Sequence, residues 1–159
     1  MAELPPVKIR FLGLNDLAGL LRLYRFLNPR DPVLAEESPD VRDQWQAVLR
    51  DERLSYFGSE IDGVVVSTCT LCIVPNFTRS MRPYGVIENV VTDPAYRMKG
   101  LGTAILRHAL EFSWTKGCYK VMLATGSKRE ETLRFYEKAG FKRGVKTGFV
   151  AHPDGQNPS

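Results

Sequence analysis

A single carboxylate interrupts an apolar, β-branched run, Val86-Ile87-Glu88-Asn89-Val90-Val91. An ionised side chain is costly in such a strand unless it has a partner or a task. Deprotonating an amine is such a task. An alkyl amine with a pKa near ~10.4 is neutral to only about one part in 10³ at pH 7, so a base, direct or through water, lowers the burden. The competing reading is a strand-edge Glu88 paired with an arginine such as Arg82. Downstream lies Arg97-Met98-Lys99-Gly100-Leu101-Gly102, between this run and a helix-forming segment. The first turn of a helix has unpaired N–H groups and the positive end of the dipole, so it attracts anions. Glycine lets bulky oxygens approach the main chain. Gly100 and Gly102 therefore suit a diphosphate seated on the helix start, with Arg97 and Lys99 at its rim; a tight turn with close helix packing is the alternative. The dinucleotide fingerprint G-x-G-x-x-G fails, because Ile105 takes the third glycine position. The G-x-x-x-x-G-K-[ST] loop is absent.

These residues have a familiar arrangement. VIENVVTDPAYRMKGLG, then GCYKVML, then LRFYEKAGF, together spanning Val86 to Phe141, resemble the acyl-CoA-binding core of the GNAT N-acetyltransferase superfamily. IENVV, GCYKVML and FYEKAGF look most like its glucosamine-6-phosphate N-acetyltransferase branch. The resemblance implies an enzyme that moves an acetyl group from acetyl-CoA to a primary amine by direct attack on the thioester. It implies that Arg97, Met98, Lys99, Gly100, Leu101, Gly102 and Thr103 hold the diphosphate. By the same likeness the backbone of Val90, Val91 and Thr92 pairs with the pantetheine arm, and an N–H there polarises the acetyl carbonyl. Tyr136, in the FYEKxGF position, becomes the general acid toward the leaving thiolate; phenol and thiol pKa values of about 10 and 8.5 suit that transfer. Many members carry Asn seven residues earlier. Arg129 stands there, which puts the Asn contact in doubt while leaving a phosphate or amide within its reach. Arg79 and Arg82 precede the Glu88 strand and are natural clamps for an anionic acceptor, such as an aminosugar phosphate.

Elements must position these groups. Val7–Phe11 reads as a strand, and Asp16 as the cap of a helix with Leu17, Leu20, Leu21, Tyr24 and Leu27 at helical spacing. Asp40–Arg50 reads as a second helix. Leu54–Glu60 and Val64–Val74 read as strands joined by a turn at Ile61-Asp62-Gly63, and Pro75–Pro83 as a loop. Tyr84–Thr92 is a strand, followed by a helix to about Lys116, a strand Tyr119–Ala124 and a helix Lys128–Ala139 that Gly140 stops. Phe141–Arg143 and Thr147–Ala151 complete the expectation as short strands. The order predicts an α/β fold with a mixed sheet, and the resemblance implies a GNAT-like mixed, mostly antiparallel twisted sheet of six to seven strands flanked by about four helices. Residues 1–151 form one expected domain and residues 152–159 an expected disordered tail.

The whole sequence of 159 residues carries 22 basic and 18 acidic side chains, but the excess is local. From Asp93 to Lys146 there are 12 basic and 5 acidic residues, which suits a phosphate-bearing ligand. Cys69 and Cys72 form a CxxC on a strand, where residues three apart face opposite ways, and the only histidines are His108 and His152. No metal is expected. No apolar run nears the roughly 20 residues that span a membrane, and the N-terminus lacks signal-peptide features, so a cytoplasmic protein is expected. The acceptor reading favours a small amine. A protein amine, a non-catalytic CoA-binding module and a nucleic-acid-binding module are the alternatives. The last lacks a recognition motif, so no nucleic-acid partner is expected. The resemblance also allows a homodimer.

Overall fold

The computed structural model describes residues 5–153, so the expected tail lies outside the described residues from position 154 onward. The chain forms two compact units, residues 1–123 and 124–159.

The first unit contains a five-stranded sheet in the order β1 (Lys8–Phe11), β2 (Leu54–Ile61), β3 (Val64–Val74), β4 (Tyr84–Thr92), β5 (Val121–Met122). The first three pairings are antiparallel; β4 and β5 are parallel. The β2–β3 hairpin turns on Asp62 and Gly63, both with positive φ (49° and 79°). That is the backbone of a two-residue primed turn, whose twist matches the strands it joins.

Helix α1 (Leu17–Leu27) lies on one face of the sheet. Its Leu17, Leu20 and Leu23 are buried with Leu12, Trp45 of α2 (Pro39–Arg50), Val65 and Val91. Helix α4 (Leu101–Thr115) covers strands β2, β3 and β4 with buried Leu101, Ile105, Leu106 and Ala109. Asp16 stands at the N-cap of α1, but its carboxylate accepts from the Gly13 N–H (2.7 Å) and from Arg10 rather than from the helix. That pairing, with the Gly13 amide, holds the Asp16 carboxyl below its ordinary pKa despite burial. The loop before β4 contains a short turn, α3 (Thr78–Met81), where Arg79, Ser80 and Met81 are all left-handed.

The second unit contains α5 (Glu130–Ala139), closed by Gly140 at φ 113°. Left-handed backbone is open to glycine and strained for other residues.

The expected six to seven strands are corrected to five among the described residues. Among the described residues neither Phe141–Arg143 nor Thr147–Ala151 is a strand. Gly144 turns the chain at φ 74°, and Phe149 and Val150 are 93% and 80% exposed, so no apolar face recruits a partner. The expected strand Tyr119–Ala124 shrinks to Val121–Met122, because β4 offers a parallel partner only at Gly85 and Val86.

Candidate active site

Strand β4 is irregular where the sequence places its carboxylate. Thr70 of β3 faces Glu88 and Thr68 faces Val91, so Asn89 and Val90 together oppose one residue, Cys69. This is a β-bulge. Asn89 takes the extra rotation at φ 54°, a conformation Asn tolerates better than β-branched neighbours would. On its other side β4 pairs with β5 only as far as Val86. The outer edge of Val90, Val91 and Thr92 is thus without a strand partner among the described residues. Such an edge is where an extended amide-bearing chain adds as a strand.

Glu88 is exposed, as is Asn89. The expected alternative partner, Arg82, is engaged elsewhere: its Nε donates to the Gly117 carbonyl (3.2 Å) and its Nη2 to that of Cys118 (3.1 Å). Arg79, on the strained turn, sets its guanidinium 5.9 Å from the Tyr119 ring centre.

Directly opposed residues in adjacent strands share a face. Tyr56, Thr70 and Glu88 are therefore in one row across β2, β3 and β4. Tyr24 of α1 reaches into this row, with its hydroxyl 3.5 Å from Thr70 Oγ1. Burial pushes the Tyr24 phenol up to about 12, so it stays protonated and able to donate. Tyr24 also lines a cavity of about 450 Å³ with Arg22, Arg25, Asn28, Asp31 and Glu36. That is within the range of small-molecule clefts. Sequence reading missed this hydroxyl row, since pairing register is not written locally. The one legible signal was an Asn inside a β-branched run.

The diphosphate-loop candidates follow β4. Asp93 caps a 3-10 turn (Pro94–Tyr96) by accepting from the Ala95 N–H at 2.9 Å. Arg97, Met98, Lys99 and Gly100 are exposed, while Leu101 and Gly102 are buried and Thr103 is half-buried. Gly100 has φ 82°, and a Cβ there would meet nothing within 4 Å. Its need is therefore backbone rotation and open approach, rather than close packing. No side chain caps the helix, and the Ala104 N–H is the donor that bonds back to the Gly100 carbonyl at 3.0 Å. The amides of Leu101, Gly102 and Thr103 thus form the first turn, where a helix has no partners of its own. Arg97 Nε donates to the Thr92 carbonyl (3.1 Å), and Lys99 Nζ is 5.1 Å from the Tyr96 ring centre. This cradle fits a diphosphate: amides, cations and no carboxylate side chain between Pro94 and Thr103. No cluster of three metal-ligating side chains is present among the described residues.

In the second unit, Tyr136 is half-buried on α5, with ring contacts to Phe135 (4.9 Å) and Phe141 (6.4 Å). Arg129 stands at the N-cap of α5 and pairs with Glu131, both well exposed.

Known proteins resemble this chain over most of its length. A profile of the Acetyltransferase (GNAT) family matches residues 20–141. A glucosamine 6-phosphate N-acetyltransferase of Trypanosoma brucei brucei is 36% identical over 142 residues, covering 89% of this chain and 93% of that protein. The rice glucosamine 6-phosphate N-acetyltransferase 1 is 32% identical over 144 residues, covering 89% and 85%. Among solved structures, an acetyltransferase from Agrobacterium tumefaciens superposes with a TM-score of 0.87 at 44% identity, covering 92% of this chain and 99% of its own. Glucosamine-6-phosphate N-acetyltransferase from Arabidopsis thaliana superposes with 0.78 at 25% identity, covering 94% and 99%.

Proposed function

The chain belongs to the GNAT acetyltransferase family, and from that premise we propose that the amine it acetylates is that of an aminosugar phosphate. It is an N-acetyltransferase with acetyl-CoA as donor. The observation that carries the acceptor reading is the near full-length likeness to glucosamine 6-phosphate N-acetyltransferases at 36% and 32% identity. Two further observations support it: Glu88 is exposed on the bulged strand, and Arg22 and Arg25 line the α1 cavity.

Acetyl-CoA supplies the activated acetyl thioester. Glu88 takes the proton from the acceptor ammonium, directly or through one water, which frees the nitrogen lone pair. A main-chain N–H at Val90–Thr92 holds the acetyl carbonyl oxygen as charge develops on it. The same strand edge and the amides of Leu101, Gly102 and Thr103 grip the donor along its length, with Arg97 and Lys99 at the rim. Tyr136 donates its phenolic proton to the departing sulfur and is reprotonated by the second proton that the nitrogen sheds as the amide forms, and Arg129 takes a polar contact with the donor where relatives often use Asn. Arg79 is the candidate clamp for the acceptor phosphate on the β4 side. Arg82 would serve only through the guanidinium nitrogen that its two carbonyl bonds leave over.

The test is thiol release from acetyl-CoA against a panel of glucosamine 6-phosphate, glucosamine, polyamines, aminoglycosides and N-terminal peptides. The expected preference is glucosamine 6-phosphate, with unphosphorylated glucosamine at least about tenfold poorer in kcat/KM, since losing a charge-paired phosphate contact costs on the order of 1.5–3 kcal/mol. Turnover on peptides alone would sink the reading.

A further inference from the structure

We propose that Arg22, on α1, is a positioning residue of the donor site: it fixes and neutralises Asp93, the residue from which the diphosphate loop departs. The guanidinium makes two bonds to two different elements. Nη1 donates to Asp93 Oδ2 at 2.5 Å, and Nη2 donates to the Val65 carbonyl at 2.8 Å. A planar fork held at both prongs has one orientation, which the rotatable point charge of a lysine does not impose. Asp93 is fixed as firmly. Its N–H donates to the Val66 carbonyl (2.8 Å), and Oδ1 accepts from the Ala95 N–H (2.9 Å). Its side chain is 13% exposed, against 38% for Arg22.

The pair has an electrostatic role that packing alone would not demand. Asp93 stands four residues before Arg97 and feels its charge. A carboxylate at the root of a loop that receives a diphosphate works against binding. It also competes with the anion for Arg97. Burial disfavours ionisation of Asp93, yet the Arg22 bond and the Ala95 amide outweigh it and keep the carboxyl below its usual range. The carboxylate is therefore present at neutral pH and must be paired, because an unpaired buried charge is strongly unfavourable. The pair thus lets Asp93 cap the turn without repelling the donor. Because Arg22 sits on α1 and lines the 450 Å³ cavity, the same side chain joins that cavity wall to the donor loop.

This inference rests on acetyl-CoA as donor and is independent of the acceptor. The experiment is calorimetric titration of acetyl-CoA into the intact protein and into Arg22→Gln, Arg22→Lys, Asp93→Asn and the Arg22→Gln/Asp93→Asn double variant, at low and high salt. Arg22→Gln is expected to raise Kd about tenfold, or ~1.4 kcal/mol, and Arg22→Lys by a smaller factor. Asp93→Asn alone should stay within about threefold of the parent, since the amide oxygen still caps Ala95. The double variant should recover most of the lost affinity, because the offending charge has gone. High salt should shrink the Arg22→Gln defect. Unchanged Kd in Arg22→Gln, or a double variant no tighter than Arg22→Gln, overturns the proposal. Should Arg22→Gln not fold, parent-like affinity in Arg22→Lys overturns it. Absence of binding by the parent itself would instead remove the donor assignment.

Discussion

Glu88 is exposed on a strand that buries Gly85, Ile87 and Val91, and the counter-ion the sequence suggests, Arg82, spends two donors on backbone carbonyls. Glu88→Gln keeps size and hydrogen bonding but removes the proton acceptor. It should lower kcat by about 10²–10⁴ at neutral pH, with recovery as pH rises and the acceptor amine deprotonates unaided. Acetyl-CoA affinity should hold. A flat ratio of variant to parent kcat between pH 7 and 9.5 would remove the base role. Tyr136→Phe makes a different prediction: turnover falls, by about tenfold to a hundredfold, while Kd for acetyl-CoA stays within a few fold. Parent-like turnover under chemistry-limited conditions would reassign the ring to packing against Phe135 and Phe141, its ring neighbours.

At the scale of elements, much was legible because local rules and tertiary demands coincided. Val64–Val74 and Tyr84–Thr92 have the bounds their β-branched patterns suggest. Gly100 and Gly140 stand at the two helix ends where positive φ is needed. Expectations failed where long-range pairing decides. Phe141–Arg143 and Thr147–Ala151 have strand-like composition and no ladder to join, and β5 is cut short by the course of β4 rather than by its own residues. The Tyr56–Thr70–Glu88 row and the Arg22–Asp93 pair unite residues far apart in sequence, so no local pattern announces them. The bulge is intermediate, since Asn89 marks it without fixing its register. It also makes a prediction. A β-branched residue at φ 54° is strained by roughly 1–2 kcal/mol, whereas glycine is not. Asn89→Val should lose about that much stability in urea titrations and slow turnover with it; Asn89→Gly should stay within about 1 kcal/mol of the parent. Equal stability of the Val variant would mean that the left-handed turn at Asn89 is dispensable.

Across the whole molecule, charge and fold divide the labour unevenly. The excess of basic residues between Asp93 and Lys146 falls mainly on the segments flanking α5, at Lys116, Lys120, Lys128, Arg129, Lys142, Arg143 and Lys146, with Arg97 and Lys99 on the donor loop, while the balance elsewhere is acidic. The donor side is thus chemically explicit in the chain, and the acceptor side rests on a cavity whose walls mix Arg22 and Arg25 with Asp31 and Glu36. A ligand that binds only the folded chain stabilises it by mass action, about 2.7 kcal/mol at a hundredfold excess over Kd. For a chain of this size each kcal/mol moves the midpoint by roughly 2–4 °C. Saturating acetyl-CoA should therefore raise Tm by about 5–10 °C. Each variant must be compared with its own ligand-free midpoint, because Gly102 is buried and Gly102→Glu lowers the baseline as well as blocking the anion. Lys99→Glu separates the two effects. Lys99 is exposed and lies over the Tyr96 ring, so reversing its charge should leave the baseline Tm in place while cutting the acetyl-CoA shift by half or more. A full shift in both variants would show that the donor binds without the helix-start cradle, and the assignment of Arg97–Thr103 as the diphosphate loop would fall with it.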